Sequence, residues 1–374
     1  MKVSVTAIEF TKTTPEQLTW PTFDNTRLVA YNTCPVWGTV RYGHHKIISE
    51  RNPLSSEGRA MPLETGSAMH EVFAWVRMCQ LFHQTEDKTL AAALFKRVGQ
   101  SLFGEDRLTV ILSNIDASFS HDRVLYAKQG AGNVLETSGF YDNPNDKRRT
   151  LSNMELAAYA YIDKWSWANL IWVQGEGVTA FVGIELPFDI AVVVQYTDEG
   201  GKECELKARF TGRIDGIHYR ADDPSVLIIG ENKTAARLDD AWTQSFNLAT
   251  QVTGYCIAGM VLAQTPIDRA YIFGLAIPLP KGYDYGGVIS QRVLRKDYHF
   301  TQWAHWFTET AVNALTDMAK PLEATRHTHS CSRYFRPCPL VPLCDNPLPE
   351  QQRIFDDMPV DEWSPLDKPG ANNA

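Results

Sequence analysis

The pattern of apolar and polar positions changes period near residue 176. Before it, the clearest signal is helical. In LETGSAMHEVFAWVRMCQLF apolar residues recur at three- and four-residue spacing, and Thr65 or Ser67 offers an N-cap. ALFKRVG, NVLETSG and MELAAYAYIDKWSWANLIW carry this character to residue 175, broken by the turn-forming YDNPNDKR. Residues 61–175 are therefore expected to form an inserted helical lobe. From 176 the alternation is two-residue. EGVTAFVGIELPFDIAVVVQYT, KECELKARFTGRIDGIHYR and SVLIIGENKT predict three strands of an antiparallel meander, joined by DEGG and ADDP turns. A long helix is predicted from Asp239 to Ala263, strands in RAYIFGLAIP and VISQRVLRK, and a helix from Thr301 to Ala319. Residues 1–60 read as loop-rich, and 347–374, rich in Pro and Asp, as a disordered tail. There is no internal repeat, and the fold class is α/β with a helical insertion.

Composition narrows the setting. A chain of 374 residues with 44% hydrophobic content can bury a substantial core in one large domain or two smaller ones. MKVSVTAIEF lacks the basic and long apolar segments of a signal peptide, and no run approaches eighteen apolar residues, so a cytoplasmic protein without membrane contact is expected. Seven cysteines in a reducing compartment read as metal ligands or buried thiols. Of these, Cys79, Cys204 and Cys256 lie within helix or strand patterns and are expected in the core. The net charge of −8 argues against a protein that coats nucleic acid indiscriminately. It is compatible with a locally basic groove, for which Lys147, Arg148 and Arg149 are candidates, although such a run also reads as a solvated loop.

The candidate chemistry lies on the predicted strands. Asp215 falls near the end of one, in GRIDG, and Glu231 and Lys233 near the end of the next, in ENK. Side chains two apart on a strand share a face, so Glu231 and Lys233 point into one site. Two carboxylates with the main-chain carbonyl of Asn232 suit Mg2+ or Mn2+, which polarises a phosphate and acidifies bound water. Lys233 is then placed to orient that water or to stabilise developing charge. His70, in GSAMHE, is a candidate third ligand, or a structural histidine at a helix start. Gln251 and Tyr255, four apart in LATQVTGYCIAGMV, share one helix face. Glu185, in GIELPFD, is a further candidate ligand, but an alternating strand offers the plainer reason for it.

Taken in order, GSAMHE, GRIDG, ENK and QxxxY, with cysteines outside them, resemble the RecB-like branch of the PD-(D/E)xK nuclease superfamily, and its iron–sulfur members most closely. The resemblance spans residues 24–345. It implies a restriction-endonuclease-like core, a mixed sheet flanked by helices, over 176–325. It also implies that His70, Asp215, Glu231 and the Asn232 carbonyl bind the metal, that Lys233 is catalytic, and that Gln251 and Tyr255 support the site or contact DNA. In that family one cysteine precedes the core and three follow it, the order of Cys34, in the 1–60 segment, and Cys331, Cys338 and Cys344, in 326–346. These would hold a 4Fe–4S cluster clasping the two terminal segments, with structural zinc as the alternative. Cys331 departs from the common spacing, leaving His327 or His329 as substitutes. The implied function is a DNA exonuclease or single-strand nuclease of recombination, repair or replication, including a phage-encoded one. A catalytically silent DNA-binding scaffold is the other reading. There is no G-x-x-x-x-G-K-[ST] sequence, so unwinding would fall to a helicase or recombinase partner.

Overall fold

The computed structural model describes residues 2–46, 48, 61–116, 122–140, 142, 146–164, 170–173, 182–277, 287–333 and 336–360. In chain order the elements are β1 (Ser4–Lys12), β2 (Thr22–Phe23), α1 (Asn25–Thr33), α2 (Pro35–Gly38), α3 (Met61–Gln84), α4 (Lys88–Phe103) and α5 (Glu105–Ser113). Next come α6 (Arg123–Glu136), α7 (Leu151–Lys164), β3 (Leu170–Trp172), β4 (Ile184–Thr197), β5 (Glu203–Arg220), β6 (Asp223–Ala235), α8 (Asp240–Gln244) and α9 (Thr250–Ala263). The chain continues with β7 (Arg269–Ala276), β8 (Val288–Leu294), α10 (Asp297–Met318), β9 (Ser332–Arg333), β10 (Arg336–Pro337), α11 (Val341–Cys344) and α12 (Leu348–Asp357).

One mixed sheet of eight strands has the order β1-β4-β5-β6-β7-β8, with β2 and β3 both pairing with β5. β5 and β6 are antiparallel, β6 and β7 parallel, and β7 and β8 antiparallel. A parallel step cannot be closed by a tight turn, and the stretch holding α8 and α9 supplies the crossover. The protein is thus α/β, a mixed sheet flanked by helices. Among the described residues no helix is long and apolar enough to cross a membrane.

The chain divides into two units, each assembled from distant stretches. The first unites Met1–Arg51, Pro187–Gly212 and Lys296–Asp367, and the second Asn52–Leu186 and Arg213–Arg295. In the first, Trp303 and Phe307 of α10 stack at 5.0 Å and Phe210 of β5 meets Trp303 at 5.2 Å. In the second, α3 is the hub, and α4, α6 and α7 pack around it. Met69, Phe73, Trp75, Val76 and Met78 are all buried, as are the polar Arg77 and Gln80, so the helix is enclosed through its middle as a central helix must be. Gly130 of α6 lies against it, and a Cβ there would fall 2.1 Å from the Trp75 ring. Only glycine permits that approach.

Several elements differ from expectation for identifiable reasons. α3 starts at Met61, a turn ahead of the predicted cap at Thr65 or Ser67. Pro62 suits a helix's first turn, where no partner for its N–H is lost, and Glu64 meets the positive helix end. The predicted helix 239–263 is two helices. The buried Arg295 donates to the carbonyls of Phe246, Asn247 and Ala249 and to Thr253 Oγ1, and so holds the break open. Leu170–Trp172, read as helical, form β3 against β5. Residues 1–60, read as loop-rich, hold β1, β2, α1 and α2. β1 is an edge strand with mostly exposed positions, so its alternation is faint. Part of the expected disordered tail is α12, where Gln351 and Phe355, one turn apart, are buried. Residues 361–374 lie outside the described residues.

Candidate metal centre

The site belongs to the second unit. β5 carries Asp215, and Gly216 beside it lets the backbone run under Trp172, whose ring would stand 2.5 Å from a Cβ. β6 carries Glu231, Asn232 and Lys233. α3 supplies His70, and the start of β4 supplies Glu185. Glu185 has a φ of 46°, a left-handed backbone rare for a side-chain-bearing residue. Such strain persists where surrounding structure imposes it, and here it turns a carboxylate into the site.

His70, Glu185 and Asp215 each offer one ligand atom, all within 4.8 Å of one another. His70 Nδ1 is 3.6 Å from Asp215 Oδ2. The Asn232 main-chain N–H donates to that same Oδ2 at 2.7 Å, and its Nδ2 lies 3.4 Å away. Lys233 Nζ pairs with Glu231 Oε1 at 2.5 Å. The other Glu231 oxygen, Oε2, is buried without a hydrogen-bond partner in the structure. An orphaned carboxylate oxygen beside two further carboxylates and an imidazole is a donor set that fits a hard divalent cation.

The electrostatics point the same way. Burial and the neighbouring Asp215 push Glu185 well above the usual carboxylate range. The same two causes push Glu231 up to about 7, against the pull of Lys233. Burial raises Asp215 too, opposed by Lys233 and by the Asn232 N–H. Burial works against the Lys233 charge, yet Glu231 and Asp215 hold its ammonium above the ordinary lysine value. The surrounding protein and Lys233 push His70 down to about 4, so its imidazole stays neutral, the form that ligates a metal. Three carboxylates are crowded here, opposed by Lys233, Arg213 and Arg77.

Gln251 Nε2 donates to the Tyr255 hydroxyl at 3.0 Å on α9. Burial, then Glu231 and Asp215, raise Tyr255 well above the ordinary tyrosine value, which places it within their field. The predicted residues His70, Asp215, Glu231, Asn232, Lys233, Gln251 and Tyr255 thus gather in one unit. Glu231 is turned to Lys233, and Glu185 completes the triad with His70 and Asp215. Sequence reading passed over Arg77 and Tyr161, which bond to Asn232. An arginine amid AWVRMCQLF was the one available signal. Arg149, a candidate groove residue, is engaged by Asp146 at 2.7 Å.

The four terminal cysteines lie in the first unit as free thiols. Cys34 joins α1 to α2, and Cys344 ends α11. The Cys338 N–H donates to the Cys331 carbonyl at 2.7 Å across the β9–β10 hairpin. Cys34, Cys338 and Cys344 pack on one small core with Val36, Val40, Leu343 and Phe355. Burial raises the Cys344 thiol, against the pull of Arg326. Among the described residues these sulfurs form no group comparable to the 4.8 Å triad. His327 Nδ1 lies 3.1 Å from the carbonyl of Thr33, next to Cys34, and stacks on His329 at 5.5 Å. Cys79 and Cys256 are buried, whereas Cys204 is half-buried.

Compared with family models and with curated proteins, the chain finds no match.

Proposed function

We propose that this protein is a metal-dependent DNA hydrolase of the RecB-like PD-(D/E)xK type, acting on DNA ends in recombination, repair or replication. The observation that carries this reading is the convergence of His70, Glu185 and Asp215 within 4.8 Å, beside the Lys233–Glu231 pair. Bound Mg2+ or Mn2+ would polarise a phosphate oxygen and acidify a water. Asp215 and Glu185 supply hard oxygen donors, and His70 a neutral nitrogen. Glu231, paired with Lys233 through one oxygen and with the other left without a hydrogen-bond partner, is placed to ligate the cation or to accept a proton from water. Lys233, held cationic, neutralises charge developing on the phosphate. Gln251 and Tyr255 buttress the wall or meet the DNA strand.

A second part of the proposal concerns the cysteines. Cys34, Cys331, Cys338 and Cys344 would hold a 4Fe–4S cluster, or zinc in its place, tying the terminal segments of the first unit. Four free thiols, three of them around one core, are a suitable donor set. Degradation of end-labelled single- and double-stranded DNA with Mg2+ or Mn2+ tests the activity and reports its direction. A chain inert on both substrates with every cation would leave a DNA-binding scaffold as the better reading.

A further inference from the structure

Arg77 of α3 is 1% exposed. Among the described residues its guanidinium makes no ion pair, and burying a charge in that way is costly. Three aromatic rings, Tyr161, Trp172 and Phe273, lie 5.4, 5.1 and 4.9 Å from it. Its hydrogen bonds go to Gln80 Oε1 at 3.1 Å, to the Tyr161 hydroxyl, and to Asn232 Oδ1 at 3.3 Å. Tyr161 also donates to Asn232 Oδ1, at 2.7 Å. Arg77 Nε remains buried without a partner. A helix selected only for packing would be better served by an apolar residue of similar volume at this position.

We propose that Arg77 and Tyr161 are positioning residues that hold Asp215 in its cation-binding orientation through the carboxamide of Asn232. Two donors converge on Asn232 Oδ1. A flipped amide would set its N–H groups against the Arg77 N–H and its oxygen against Asp215 Oδ2, so the carboxamide has one orientation. That orientation directs Nδ2 towards Asp215 Oδ2, the oxygen that also receives the Asn232 main-chain N–H. Asp215 is thereby held against the repulsion of Glu185 and Glu231, which would otherwise turn it away. The residues cross-linked in this way come from α3, α7, β5 and β6, which are far apart in sequence. The inference rests on the nuclease reading only for what the bound cation then does.

Tyr161→Phe keeps the ring over Arg77 and removes one donor to Asn232. Calorimetric titration of the full-length variant with Mn2+ is expected to show about tenfold weaker binding, the usual scale for a group that orients a ligand. Asn232→Leu should lose a similar amount, and adding Tyr161→Phe to it should cost nothing more, because the effect runs through Asn232. Arg77→Lys, which keeps charge but not the fork, should weaken Mn2+ as well. It carries the test if circular dichroism shows Tyr161→Phe unfolded. Unchanged Mn2+ affinity in folded Tyr161→Phe, additive losses in the double variant, or wild type that binds no Mn2+ would each overturn the inference. Wild type that binds Mn2+ with the expected variant losses, yet leaves DNA intact, would overturn the nuclease reading alone.

Discussion

The two chemistry-bearing regions of this chain are built by opposite means. In the second unit the candidate ligands stand on three strands and a 24-residue helix, and Asp215 and Asn232 are bound into a hydrogen-bonded network. In the first unit the cysteines sit at the ends of short pieces, a helix junction, a two-residue hairpin strand and a four-residue helix. Regular backbone fixes most of these side-chain directions by its own period and a left-handed residue at Glu185 supplies the last, so the carboxylates converge without an ion's help. Short pieces fix it weakly, and there the ligand would complete the geometry, as structural metals do when binding and folding are one event. The first kind of site should fail through chemistry, the second through stability.

The largest effect expected lies in the cysteine region. Cys34 and Cys331 are 297 positions apart, so a shared cluster closes a very long loop. Cys34→Ser and Cys338→Ser should each lose bound iron and stability on the order of 5 kcal/mol, by analogy with a long-range crosslink. Iron analysis of anaerobically purified protein and urea melts check this. One zinc per chain would reverse the metal assignment, and substitutions that leave metal content unchanged would sink the clasp.

At the carboxylate site the loss should be in turnover. Glu231→Gln or Lys233→Met should slow DNA hydrolysis at least about a hundredfold with the melting temperature preserved. Normal rates in both would remove the assignment. A control within the same unit is Gly130→Ala, which forces a methyl against Trp75 and should cost about 2 kcal/mol without altering Mn2+ affinity.

The pH dependence separates the regions further. Without a cation, the folded carboxyl of Glu231 is raised from 4.5 to about 7. Its contribution to stability is therefore complete below about 4.5 and lost as pH rises through about 7. A bound cation requires the charged form, so Mn2+ affinity should rise about tenfold between about pH 6 and about pH 8, and Glu231→Gln should flatten that rise. An equally steep titration in the variant would assign the proton elsewhere. Smallest of all should be Cys204→Ser, half-buried and outside the proposed cluster. It should leave iron unchanged and stability within about 0.5 kcal/mol.

Much of the second unit could be read in advance. β6, β7, β8 and the second half of β5 fall where period-two alternation placed them. His70, Asp215, Glu231 and Lys233 were picked out as candidates and do gather. Glu185 was set aside because strand alternation accounted for it, and its role depends on a left-handed backbone that alternation does not reveal. The first unit was harder. β1 is an exposed edge, and α12 buries only Gln351 and Phe355, so neither carries a strong hydrophobic pattern.

The sequence by itself determined which stretches alternate and which spiral, and that Glu231 and Lys233 share a face, because these follow from backbone periods over a few neighbouring residues. Tertiary structure alone decided that β6 and β7 run parallel, that Arg295 splits one predicted helix into two, and that Arg77 serves Asn232. Arg77 lies 84 residues from Tyr161 and 155 from Asn232. No local period links positions so distant; only the closed core of the second unit brings them within reach and makes a buried charge tolerable there.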